Sequence, residues 1–359
     1  MLSRLLPLLL IALGAVFQLF TPTQLTGTPL FVAAPLMAAP LFTRWQTVGF
    51  GCLALAAAVL LHLVAGSVWE SVATQHLATE LATIAFATAI AVLLNTVVDR
   101  GREQLASARE VAEAAQRAVV PTPADRIAGL RVAARYEAAQ RDALIGGDLY
   151  GAQDTPYGVR MLMGDVRGKG ITAIETVAVV LGAFREAADQ QETLADVARR
   201  LEHALARESA GRTAADAGEA FVTCVLVEIP PGRQTVRTLN RGHPPPLLLD
   251  GGGRVTALTP RAFQLPLGLS DLDPAPHEPD SWPFPADATL LLYTDGLSEA
   301  RDAAGTFYDP VDRLRGRTFP TPTRLLNTLA DDVRHFSGDL TDDDMALLAA
   351  HKPGPRPVH

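Results

Sequence analysis

Aspartate recurs in this chain at the ends of short apolar runs, mostly beside glycine. Asp148 lies in GGDLY, Asp165 in MGDVRGKG, Asp295 in LLLYTDGL, and Asp342, Asp343 and Asp344 in TDDDMALL. A strand that delivers a carboxylate at its tip, followed by a turn, sets a hard oxygen ligand on a rigid edge. Several such tips converging would make a Mg²⁺ or Mn²⁺ site. A single Asp-Gly pair is an ordinary turn, but four tips in one stretch of chain call for another explanation.

Other chemistries fit less well. Cys52 sits in an apolar run and Cys224 in a predicted strand, with neither pairing nor metal-ligand spacing, so the catalytic part reads as a reduced, cytosolic one. Cys224 also lacks the basic phosphate-cradling loop that a cysteine phosphatase needs. Gly164–Gly170 is not a P-loop, because Met163 and Gly170 occupy the places of its first glycine and its Ser or Thr. The DDD run could instead open a helix capped by Thr341, but the MALLAAH that follows is strand-like and too short for one.

The elements that must position these residues begin near Gly129. Leu130–Tyr136, Asp148–Ala152, Val159–Asp165, Phe221–Ile229, Thr235–Asn240, Pro246–Leu249, Arg254–Leu258 and Thr289–Tyr293 read as strands. Ile171–Ala188, Leu194–Glu208 and Pro322–His335 read as helices, and the proline- and acid-rich Asp271–Pro285 as a surface loop. Strands and helices are clustered rather than alternating, which predicts an α+β layered domain.

The 359 residues carry a net charge of −8 with no basic block, which argues against nucleic acid as partner or substrate. The charge lies almost wholly beyond Val98. Before it come four apolar stretches, at about Leu5–Phe20, Thr28–Phe42, Val48–Ala65 and Leu81–Val98. Each is near the ~20 residues needed to cross a bilayer. They predict an all-α membrane domain of about four transmembrane helices, retained rather than cleaved as a signal peptide. Arg4, Arg44, Arg100 and Arg102 all fall on one side of such a bundle, so both termini are expected in the cytoplasm. His62 is the one ionisable residue deep in a predicted span, which favours an anchor or sensor over a transporter. Small and apolar residues then recur as Val98, Gly101, Leu105, Ala108, Ala112, Ala115 and Val119, steps of three and four that outline a weak coiled-coil seam and a route to a homodimer. The expected organisation is a membrane domain over 1–98, a helical linker over 99–128, a catalytic domain over 129–351 and a tail over 352–359.

GGDLY, GDVRGKG, NRGHPPPLLL, LPLGL, LLLYTDGLSEARD and DDDMALL follow one another across the cytosolic domain. As an ordered set they resemble the SpoIIE-type, PPM-family bacterial serine/threonine phosphatases, which include the RsbU-like regulators of sigma-factor partner switching. The resemblance implies a β-sandwich flanked by helices, with two Mn²⁺ or Mg²⁺ ions at one end. Carried over, Asp148 and Asp165 become metal ligands, Asp165 bridging both ions, with the backbone carbonyl of Val166 beside it. Asp295 joins them, together with Asp343, which the family pattern favours, or Asp344. The implied activity is hydrolysis of phosphoserine or phosphothreonine on a signalling protein, in particular a STAS-domain anti-anti-sigma regulator. A membrane-bound hydrolase of another phosphoester and a non-catalytic phosphatase-like module are the alternatives. Two family positions differ: Arg141 is displaced from the phosphate-binding arginine, and Lys169 stands where many relatives carry histidine. His243 of NRGHP reads as structural.

Overall fold

The computed structural model describes residues 5–20, 27–64, 71–120, 122–137, 146–168, 170–210, 221–272, 278–338 and 343–354, with the backbone alone for 71–76, 103–118, 171 and 271. Contacts divide the chain into two compact units, Met1–Ala108 and Arg109–His359.

The first unit is helical: α1 (Leu6–Phe20), α2 (Thr28–Ala38), α3 (Arg44–Val64) and the greater part of α4 (Ser71–Val119). Two segments, Arg44–Val64 and Leu77–Arg102, are long and apolar enough to cross a membrane, while α1 and α2 are shorter. The apolar stretch predicted from Leu81 and the connector predicted from Val98 thus belong to one helix. The seam residues Leu105, Ala108, Ala112 and Ala115 have side chains outside the described residues. Thr47, Glu80 and Asn95 are buried polar residues among those described in this unit. Asn95 donates to the carbonyls of Ala39 and Phe42, where α2 ends ahead of α3, at 2.8 and 2.6 Å. Glu80 accepts from the Thr28 hydroxyl at 3.0 Å. The apolar stretch predicted from Leu81 leaves Glu80 just ahead of it. Here it is a helical residue, buried because Thr28 supplies a donor that offsets its desolvation.

The second unit is a β-sandwich. Its strands are β1 (Arg126–Ile127), β2 (Leu130–Glu137), β3 (Asp148–Thr155), β4 (Gly158–Val166), β5 (Val222–Ile229), β6 (Thr235–Arg241), β7 (Leu247–Leu249), β8 (Val255–Ala257), β9 (Asp280–Pro283), β10 (Thr289–Tyr293) and β11 (Met345–His351). They form a six-stranded sheet in the order β1-β2-β11-β10-β7-β8 and a five-stranded sheet in the order β3-β4-β5-β6-β9. The paired strands are antiparallel throughout. Between the sheets lies a core that includes Val132, Leu290, Leu292, Ala346, Leu348, Met161 and Val225.

Helices cover both outer faces. Helices α5 (Ile171–Gln190) and α6 (Leu194–Ser209) pack Val177, Leu181, Phe184, Val197 and Leu201 onto the five-stranded sheet. The six-stranded sheet carries α9 (Pro322–Ser337) through Leu325, Leu329 and Val333, which meet Leu247, Leu291 and Leu347. This layering explains the unbroken apolar runs LLLY and MALLAA. Successive residues of β10 and β11 alternate between the inner core and the α9 side, and both sides are dry. The short helices α7 (Asp295–Ser298) and α8 (Pro310–Leu314) complete the unit.

The strand and helix expectations hold to within about two residues at most ends, the usual play in helix and strand boundaries. One differs in kind. The stretch Asp271–Pro285, expected as a loop, contains strand β9, which pairs with β6 from Thr235↔Pro283 to Thr238↔Asp280. An edge strand tolerates the proline because one side of its backbone needs no partner, so composition alone hides it.

Candidate metal centre

β3 opens on Asp148 and β4 closes on Asp165 and Val166, and the two aspartates are directly opposed in the antiparallel register. Opposed residues project to the same face with Cβ atoms about 4.5–5.5 Å apart. From the other sheet, β10 ends at Tyr293 and Asp295 opens α7. The pairing of the two sheets brings these three tips together: one carboxylate oxygen from each of Asp148, Asp165 and Asp295 lies within 4.8 Å of the others.

Their electrostatics favour a cation among them. Burial pushes the Asp148 carboxyl well above the usual range, the Asp165, Asp344 and Asp295 charges push it further, and only a hydrogen bond from Thr294 opposes them. Asp295 is likewise raised, by burial first and then by the charges of Asp343 and Glu299, against the pull of backbone N–H groups. Converging buried carboxylates are costly without a cation, and an all-oxygen, all-carboxylate donor set suits Mg²⁺ or Mn²⁺.

Close backbone approach completes the floor. Gly147 accepts from the Val166 N–H at 3.1 Å. A Cβ on Gly147 would overlap the Val166 carbonyl and lie 2.7 Å from Asp165 Oδ1. The Val166 carbonyl and the Asp165 carboxylate thus both crowd the same face of Gly147. The two remaining aspartates flank the centre from different sides. Asp344 is buried and its carboxylate fills the space a Cβ on Gly146 would take, while its charge reaches Asp148. Asp343 is exposed and its charge reaches Asp295. Neither belongs to the close group of three.

Thr294 was not singled out in the sequence, although it sits inside the YTDG motif. Its hydroxyl donates to Asp148 Oδ2 at 2.7 Å and accepts from the Ala346 N–H at 2.9 Å. It therefore ties the first aspartate to the opposite sheet. Cys224 takes no part: burial pushes its thiol up to about 12, so it stays protonated and unreactive. Arg141, Lys169, Thr341 and Asp342 lie outside the described residues.

Comparison with known proteins agrees with this geometry. The family model described as stage II sporulation protein E (SpoIIE) matches residues 155–353, more than half of the 359-residue chain. That segment includes Asp165, Val166, Asp295, Asp343 and Asp344; Asp148 lies just ahead of it. Phosphoserine phosphatase RsbP of Bacillus subtilis (strain 168) is 29% identical over 162 residues, 43% of this chain and 37% of that protein. The chain thus matches well under half the length of this curated relative. Among solved structures, the SiaA-PP2C domain of Pseudomonas aeruginosa superposes with a TM-score of 0.56 at 17% identity, over 70% of this chain and 98% of that one. At that identity the likeness is one of fold. With the family match covering more than half of the chain, from β4 to β11 and including two of the three converging carboxylates, the chain belongs to the SpoIIE family.

Proposed function

We propose that this chain is a membrane-anchored, metal-dependent protein serine/threonine phosphatase. The observation that carries the reading is the convergence of Asp148, Asp165 and Asp295 within 4.8 Å at one end of the sandwich. These three, with the Val166 carbonyl, would hold Mn²⁺ or Mg²⁺. Asp343 is the better candidate than Asp344 to join them, because it is solvent-facing beside Asp295 while Asp344 is packed against Gly146. Two such ions, once bound, would supply an activated water and charge neutralisation for the phosphoryl oxygens.

The chain's own residues do the rest. Burial of Asp148 keeps its carboxylate poorly hydrated and ready for a cation, and Thr294 fixes its orientation. The unreactive Cys224 leaves no thiol nucleophile at this end of β5. Similarity to a phosphoserine phosphatase supports a phosphoprotein substrate, and within this reading that substrate is a phosphorylated STAS-domain anti-anti-sigma regulator. The helices Arg44–Val64 and Leu77–Arg102 support a membrane anchor. Four spans, cytoplasmic termini and pairing of two chains along the α4 seam belong to the same proposal, on the arginine distribution and the three-four spacing.

The test is hydrolysis of a phosphoserine protein by the full chain in detergent, with Mn²⁺ and with EDTA. Turnover is expected only with metal, and Asp165→Asn is expected to abolish it while the far-ultraviolet circular dichroism stays that of wild type. An amide cannot balance two cations. Wild-type turnover in EDTA, or by the Asn variant, overturns the reading.

A further inference from the structure

The NRGHPPP motif contributes no carboxylate to the metal centre, yet His243 is buried at 6% exposure beside it. Both ring nitrogens are engaged. Nδ1 lies 3.1 Å from the Thr223 hydroxyl, and Nε2 lies 3.1 Å from the Tyr293 carbonyl oxygen. A carbonyl only accepts, so Nε2 carries the proton and donates, which leaves Nδ1 to accept from Thr223. The ring is held from behind as well: the His243 N–H donates to Asn240 Oδ1 and Asn240 Nδ2 donates to the His243 carbonyl, each at 2.8 Å. Burial lowers the imidazole to about 3, so this neutral tautomer persists at every working pH.

The two partners are the informative part. Thr223 is the register partner of Asp165, and Asp165 is the register partner of Asp148. Asp148, Asp165 and Thr223 therefore form one row across β3, β4 and β5. At one end of the row, Thr294 donates to Asp148. At the other, Thr223 is linked through His243 to Tyr293. Both ties land on the tripeptide Tyr293-Thr294-Asp295, where β10 of the opposite sheet gives way to α7. That tripeptide carries the third carboxylate.

We propose that His243 is a positioning residue: with Thr223 it forms a hydrogen-bonded strut that, opposite the Thr294–Asp148 bond, sets the spacing between the Asp165 row and Asp295 and so sets metal affinity. It donates no proton to substrate and touches no reacting atom. Without the strut, the Thr294–Asp148 bond alone would hold the spacing at this end, and ligand positions matter within a few tenths of an ångström for a small divalent ion. The inference rests on the metal-centre reading.

Mn²⁺ titration calorimetry of the full chain in detergent, with melting in EDTA as the control for folding, tests it. Thr223→Val removes only the hydroxyl and is expected to weaken Mn²⁺ binding about three- to tenfold, while Thr223→Ser, which keeps it, binds as wild type. His243→Leu is expected to weaken binding at least as much, and the double variant Thr223→Val/His243→Leu no more than His243→Leu alone, since one strut cannot be broken twice. If His243→Leu does not fold, the Val and Ser pair at Thr223 decides. Folded Val and Leu variants that bind Mn²⁺ with wild-type affinity reduce His243 to a scaffold residue and overturn the proposal. Wild-type chain that binds no Mn²⁺ overturns the metal-centre reading itself.

Discussion

At the scale of single residues, the centre is built from groups that are unfavourable alone. The Asp148 carboxyl is raised by burial and by its charged neighbours, so the folded chain holds that proton more tightly than the unfolded chain does. Without metal, the stabilisation from that proton is fully present below the unfolded aspartate pKa of about 3.9 and is lost as pH rises through the higher folded value. Melting of the chain in EDTA is therefore expected to fall as pH is raised from mildly acidic to neutral, with Asp148→Asn flattening the dependence and Mn²⁺ restoring the wild type at neutral pH. A wild-type melting curve with the same pH slope as Asp148→Asn would count against this account. Gly147 is the second case. A methyl there meets the Val166 carbonyl and Asp165, so Gly147→Ala is expected to displace one or both ligand atoms and cut phosphatase turnover about tenfold or more, with a smaller effect on melting in EDTA. Wild-type turnover in the Ala variant would show that the floor has room.

At the scale of elements, the corner between α5 and α6 depends on one buried cation. Arg160 of β4 is fully buried, with Nε 2.9 Å from Glu228 Oε2. Its Nη1 donates to the carbonyl of Ala188 at 3.0 Å and its Nη2 to that of Glu192 at 2.7 Å. A guanidinium at the C-terminal end of α5 satisfies carbonyls the helix leaves open. It also balances Glu228, which takes a second ion pair from Arg237 at 2.9 Å. Arg160→Met leaves Glu228 and these carbonyls with less than they need, and is expected to cost about 3–5 kcal/mol, read by denaturant unfolding. A loss under about 1 kcal/mol would mean Arg237 alone suffices for Glu228. No spacing rule marked Arg160 in the sequence, because its partners are contributed by a strand and a helical corner far along the chain.

At the scale of the whole molecule, the chain joins an apolar helical unit to the β-sandwich unit, and α4 bears both the apolar segment Leu77–Arg102 and the residues up to Val119. Arg44, Arg100 and Arg102 predict which side of the bilayer the β-sandwich unit occupies. The full chain is expected to sediment with membranes and resist extraction by high salt and carbonate. A reporter fused after Arg102 is expected to be active only as a cytoplasmic one. Release by carbonate, or an external reporter signal, would remove the anchor or invert the orientation.

Much of this was legible before any folding was considered, for local reasons. Period-two burial and doubly buried runs such as LLLY and MALLAA follow from strand geometry alone, and the aspartate tips stand out because turns follow them. The capping of α6 by Thr193 and of α9 by Thr321, with Pro322 in the first turn and Gly338 left-handed at φ 66° at its end, is equally local. What tertiary structure alone decided is which tips meet. Asp148 and Asp165 face each other because β3 pairs with β4, but Asp295 joins them only because the other sheet stacks on theirs, and nothing within LLLYTDGL specifies that neighbour. The difference between Asp343 and Asp344, adjacent and chemically identical, is likewise one of packing: one faces solvent beside Asp295 and the other fills the space above Gly146. The buried Glu80 and strand β9 were not legible for the same reason, since a buried carboxylate and a proline-bearing edge strand are each tolerable only once their partners, Thr28 and β6, are in place.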